Sequence, residues 1–161
     1  MTSDVFLVTA LQPAFFLLPS AMNSPDARAF LVAIALQESG LKKRRQLGSG
    51  PGRSYFQFEK AGIRGVLKHS RTHDASREVC TALDIPANAI SIHRALEFQD
   101  VLGVCFARLL IWTLPLALPR ETETVDAWHQ YLECWRPGKP REKDWAANYA
   151  SAWSIIKGEP T

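Results

Sequence analysis

Apolar residues along the chain fall into helix-length groups separated by glycine and proline, and few of them alternate as strands require. Val5 to Leu18 is apolar but is interrupted by Gln12 and Pro13, which predicts a packed N-terminal helix kinked or ended near Pro13. Leu17-Leu18-Pro19 then turns the chain into a helix over about residues 25–39. Its start carries three signals: Ser24 as cap, Pro25 at the first helical position and Asp26 at the positive end of the dipole. Gly40 supplies the left-handed residue that closes it. Along this helix Ala27, Leu31, Ile34 and Glu38 share one face, so a carboxylate continues an apolar stripe.

Residues 42–54 hold Gly48, Gly50, Pro51 and Gly52 and read as a loop with several positions free to take positive φ. Tyr55-Phe56-Gln57-Phe58 fits a short strand or the first turn of a helix. Ala61 to His69 predicts a weak helix punctuated by Gly62 and Gly65, and Asp74 is placed to cap another that runs to about Leu83. The longest helical pattern spans about Ala89 to Thr113, with a break near Phe98, and puts Val101, Leu102, Cys105, Phe106, Leu109 and Trp112 on one face as a central strut. Beyond Pro115 and Pro119, Thr122 or Thr124 can cap a helix that turns Val125, Trp128, Leu132 and Trp135 inward. Arg136-Pro137-Gly138-Lys139-Pro140 is a hard break. A last helix over about Lys143 to Lys157 aligns Trp145, Tyr149, Ala152 and Ile156 before Gly158 and Pro160 stop it. The prediction is a mainly α chain, one domain over residues 1–161, with at most a small β element.

Composition narrows the class. With 161 residues, 47% hydrophobic and 22% charged, the chain is an ordinary globular protein and not a disordered or fibrous one. The net charge of +3 conceals a local cluster, Lys42-Lys43-Arg44-Arg45, with Arg53, Arg64, Lys68 and Arg71 nearby; this suits an anionic polymer as partner, or is simply a solvated loop. Cys80, Cys105 and Cys134 are odd in number and widely spaced, which suggests neither a disulfide framework nor a zinc site and fits folding in a reducing cytoplasm. His69, His73 and His93 invite a metal reading, but His69 and His73, four apart, lack a third ligand and read as surface side chains; no metal or cofactor is expected. The segment Val5–Leu18 is too short to span a bilayer and has no basic residues before it, so neither membrane insertion nor a secretory signal is expected.

Glu38 is the residue with chemistry. Two effects raise its pKa: partial burial disfavours the charge, and the negative end of the helix dipole repels it. A glutamate poised near neutrality suits a general acid. The competing reading is a side chain that snorkels out or pairs with Lys42 or Arg45.

Ala35-Leu36-Gln37-Glu38-Ser39, followed by Gly52-Arg53-Ser54-Tyr55-Phe56-Gln57, resembles the Glu-Ser and Gly-x-x-Gln blocks of the lytic transglycosylases within the lysozyme-like superfamily. The chain is also similar to small lysozyme-like proteins of tailed phages in its ALQES, GPGR-aromatic-QFE and WRPGKP segments. The likeness to the catalytic blocks covers about residues 24–60. It implies a lysozyme-like helical domain that cleaves the β-1,4 bond between MurNAc and GlcNAc of peptidoglycan, as a phage endolysin or virion-associated lysin. Glu38 would then be the catalytic acid, Ser39 its orienting neighbour or a substrate contact, and Gln57 a glutamine lining the cleft. Tyr149 would be a late tyrosine near the glutamate, although Tyr149-Ala150 departs from the family's Tyr-Asn and a core tyrosine explains the position as well. Tyr55 and Phe56 offer ring faces for sugars, with core packing as the alternative.

Common phage lysozymes carry an Asp about ten residues beyond the glutamate, whereas residues 40–58 here contain no Asp or Glu. That favours transglycosylation over hydrolysis, because the substrate's own N-acetyl oxygen and 6-hydroxyl complete that reaction. Glu59, the nearest other carboxylate, reads as structural. A catalytically inactive virion component of the same fold is the alternative, and nucleic-acid binding through Lys42–Arg45 ranks last. The expected site of action is the bacterial cell wall, reached from the host cytoplasm or carried in the virion.

Overall fold

The computed structural model describes residues 1–158 and is mainly helical. Thr2 caps α1 (Ser3–Phe6) by accepting from the Val5 N–H, and the chain continues through one π-helical turn, Leu7–Leu11, into α2 (Gln12–Leu17). Pro13 therefore neither ends nor sharply breaks the helix. A proline lacks an N–H and crowds the carbonyl four residues back; widening the preceding turn, where the Gln12 N–H reaches the Leu7 carbonyl, relieves both problems.

α3 (Pro25–Ser39) starts and stops at the predicted residues. The Ser24 hydroxyl accepts from the Ala27 N–H at 3.1 Å, and Gly40 closes the helix at φ +60° with its N–H on the Leu36 carbonyl. Ala29 to Ala35 are fully buried on every side, so α3 is a core helix and not merely the owner of one apolar face. It packs along α9 (Glu142–Lys157) and also touches α7 (Asp100–Trp112). The long pattern from Ala89 is two helices, α6 (Ala89–Ala95) and α7, separated at residues 96–99. α7 is almost wholly buried, as its strut role requires, although Val101 and Trp112 are only half-buried.

α4 (Lys60–Lys68) and α5 (His73–Ala82) lie beside α6 and α7. Asp74 does not cap α5: the cap position is Thr72, and its hydroxyl donates to the Val66 carbonyl instead. Neither Thr122 nor Thr124 caps α8 (Thr124–Trp135); Glu123 holds that position, and its carboxylate accepts from the Arg120 N–H. Val125 is exposed, not inward, because the buried stripe of α8 begins with Ala127 and Trp128 and continues to Tyr131.

Among the described residues, extended pairing is limited to two isolated bridges, Arg45 with Arg53 and Arg53 with Phe58. Tyr55 to Phe58 is accordingly neither strand nor helix but a tight turn, in which the Gln57 N–H meets the Ser54 carbonyl. No described helix is long and apolar enough to cross a membrane.

Candidate active site

Glu38 projects from the last turn of α3 at the junction of two hollows. The larger, about 1030 Å³, runs between α4, the end of α7 and the α8–α9 connection; Gly62, Gly65, Leu114, Trp135 and Gly138 are among its walls. The smaller, about 650 Å³, lies over Ser39, Gly40, the basic run and the first turns of α9. Glu38, Gln46, Gln57 and Arg141 border both, so the two form one bent cleft with the carboxyl at its elbow.

The carboxyl is half-buried, and its pKa is raised above the usual value by desolvation. Two groups oppose that rise: a hydrogen bond from the Tyr131 hydroxyl to Oε1 at 2.6 Å, and the positive charge of Arg141. Burial is the largest effect, so on balance the pKa stays above the ordinary carboxyl value. Glu38 makes no ion pair with Lys42, Arg45 or Arg141. Arg44 is instead bound to Asp100 through two contacts of 2.8 and 2.7 Å, and Arg45 faces Glu97 at 3.8 Å.

Tyr131 is the partner of Glu38 that the sequence did not reveal. It occupies the middle of a column of rings. Trp145 stacks on it at 5.1 Å and 17°, Tyr149 follows on Trp145, and Trp135 flanks it on the other side. Pinned in this way, the phenol has little freedom to leave Glu38, and both burial and the carboxylate push its own pKa up, so it remains a donor. The available signal was the aromatic density of α8, where a polar-tipped ring sits among Trp128 and Trp135.

Tyr149 is not beside the glutamate. It is buried, and its hydroxyl donates to the Pro119 and Arg120 carbonyls. Tyr55 and Phe56 are also buried, at 3% and 1% exposure, so neither ring is open to a sugar. Tyr55 lies under the Arg44 guanidinium and meets Phe6 edge-on, while Phe56 packs against Phe6 and Trp135. The half-buried ring that does border the larger hollow is Trp135, held by its indole N–H on the Phe56 carbonyl.

Ser39 borders the smaller hollow beside Glu38, but its hydroxyl donates back to the Ala35 carbonyl. Gln57 reaches the elbow from an unusual backbone at φ +52°, with its amide donating to the Ser54 and Lys43 carbonyls. Of the loop glycines, only Gly48 takes a positive φ. Gly52 is needed for room, since a Cβ there would stand 2.8 Å from the Gln57 side-chain oxygen. Left-handed backbone falls instead on Leu41, Ser49, Ser54 and Gln57, a concentration beside the cleft.

Gln37, buried at the border of the larger hollow, clasps the start of α9. Its buried amide donates to the Arg141 carbonyl at 2.9 Å and accepts from Asn148 at 2.8 Å, while the Arg141 guanidinium donates to the Gln37 carbonyl. Glu59 and Glu133 are exposed carboxylates on the larger hollow. His69 accepts from the Arg71 N–H, His73 faces Asp74 and Arg77, and His93 contacts the Pro51 carbonyl; no group of residues among those described is arranged to hold a metal. The chain matches no known protein family, no curated protein and no solved structure.

Proposed function

We propose that the protein is a lysozyme-like enzyme that cleaves the β-1,4 MurNAc–GlcNAc bond of peptidoglycan, with Glu38 as general acid and then base. The observation that carries this reading is a carboxyl, its pKa raised by burial, at the elbow of an open cleft. Protonating a glycosidic oxygen needs such an acid within reach of an extended polymer. Transglycosylation is the preferred form of the reaction. After bond cleavage the ionised Glu38 would take a proton from the substrate's 6-hydroxyl, which closes onto the anomeric carbon and completes a 1,6-anhydro product. Tyr131 would steady the carboxylate between the two steps, and Gln57 and Trp135 would line the path of the strand.

Peptidoglycan strands are thus the proposed partner, and the cell wall the proposed site of action, for an endolysin or a lysin carried in the virion. The experiment is mass analysis of digested peptidoglycan with the wild-type protein and with Glu38→Gln. Anhydro-muropeptides that vanish in the variant support the proposal, and reducing ends would convert it to hydrolysis. An absence of products from several cell walls would leave the alternative, an inactive virion protein of the same fold; the Arg141 charge beside Glu38 favours that alternative, since it promotes the ionised form.

A further inference from the structure

We propose that the smaller arm of the cleft is an anion-binding subsite that recognises the stem-peptide carboxylates of the glycan strand, so that charge as well as sugar selects the substrate. The inference rests on the glycan-cleaving reading and adds to it the part of the substrate that this arm would hold.

The two arms differ in charge. The larger has Glu59 and Glu133 among its walls alongside Arg136 and Lys139. The smaller is bordered by Lys42, Lys43, Arg45, Arg141 and Lys143, with only Asp144 and Glu38 against them. Most of the other cations in this region are committed. Arg44 is tied to Asp100, Arg45 faces Glu97, Arg53 is 3.3 Å from Glu97, and Arg141 faces Asp144 at 3.6 Å. Lys42, Lys43 and Lys143 have no acidic partner among the described residues, and all three are exposed. They come from two separate elements, two from the loop after α3 and one from the first turn of α9.

Like charges gathered on the border of one hollow repel, and cations near a general acid favour its ionised, inactive form. Both costs fall when an anion enters between them. Ammonium groups on flexible stems suit carboxylates whose position varies from one peptide to the next, whereas a rigid bidentate site would call for arginine. The concave shape and its continuity with Glu38 favour a thin strand bearing pendant carboxylates over a nucleic-acid duplex lying on a convex basic face.

The test is equilibrium binding by the Glu38→Gln protein to labelled glycan strands that carry stem peptides and to strands stripped of them. At low salt the peptide-bearing strands are expected to bind about tenfold more tightly, the sum of a few exposed ion pairs. That preference should disappear when Lys42→Gln, Lys43→Gln and Lys143→Gln are added, and also in the parent at about 0.5 M salt. A matching melting curve for the lysine variant shows that it folds. Equal binding of the two strands would overturn the subsite and leave glycan cleavage standing. Binding to neither would overturn the reading beneath it. Tighter binding to duplex DNA than to peptide-bearing strands would reassign the arm to nucleic acid and overturn the proposal.

Discussion

One hydroxyl, that of Tyr131, works against the burial that holds the proton on Glu38. By donating at 2.6 Å it stabilises the ionised carboxylate against the burial that disfavours it. Tyr131→Phe keeps the ring in its column but removes that donor, so the carboxyl's pKa rises further. An acid catalyst is active while protonated; the falling limb of the pH–rate profile therefore moves to higher pH in Tyr131→Phe. Its kcat/KM falls about tenfold for the lost charge-assisted bond, measured by turbidity loss of cell walls across pH. Stability gives the same residue a second readout. A carboxyl with a pKa higher in the folded than in the unfolded state binds its proton more tightly when folded, so folding is weakened as pH rises past the unfolded value near 4.5. Glu38→Gln retains an acceptor for Tyr131 and carries no charge to desolvate. Melting curves should therefore nearly coincide at pH 4, with the variant higher by about 2–4 °C at pH 7. A wild-type protein that gains stability over that interval relative to the variant would reverse the sign and refute the burial argument. The candidate acid was legible because its position depends on local helix spacing. Tyr131 was not, because its partner lies 93 residues away and nothing in the spacing distinguishes it from the equally aromatic Tyr149.

At the level of elements, signals held where the backbone itself enforces them. Pro25 can sit only in the first turn of α3, and Gly40 takes a left-handed conformation that most residues resist, so both ends were readable. Side-chain caps were less secure, since a hydroxyl or carboxylate has many possible partners. Thr72 spends its hydroxyl on Val66, and Asp74 turns to His73, while Glu123 answers Arg120 and not the end of α8. The Gln37 clasp belongs to this scale because it joins the end of α3 to the start of α9 across 104 residues and fixes the wall that carries Arg141. Gln37→Ala would leave the Asn148 amide and the Arg141 carbonyl without their partner, at a cost of about 2 kcal/mol and a Tm lower by about 4–8 °C. Catalysis should suffer more than stability does. At a temperature where the variant is fully folded, wall lysis should still fall several-fold, and hydrogen exchange should quicken across residues 136–141. Unchanged exchange there would show that the wall stands without the clasp.

Across the whole molecule, the cleft depends on packing that begins at the other end of the chain. Phe6 of α1 is 1% exposed and meets Tyr55 at 6.0 Å and Phe56 at 6.4 Å, so the N-terminal helix forms the floor under the turn that presents Gln57. The apolar run from Val5 announced a packed helix, but no periodicity could say that its partner would be the aromatic turn some fifty residues on. The same long-range packing converted Tyr55 and Phe56 from surfaces for sugar into core. Phe6→Ala would remove a buried ring whose neighbours are too constrained to collapse fully around the gap, at a cost of about 3–4 kcal/mol. That is a large share of the total of about 5–15 kcal/mol typical of a folded domain, so the denaturation midpoint should fall clearly. The geometry makes a further demand. Because Gln57 and Ser54 hold left-handed backbone only while their surroundings impose it, loss of the floor should release the turn before the rest unfolds. Activity of Phe6→Ala should therefore decline at temperatures well below its own melting midpoint, and exchange should rise first at residues 52–58. A variant that loses activity only in step with global melting would show that floor and cleft unfold as one unit.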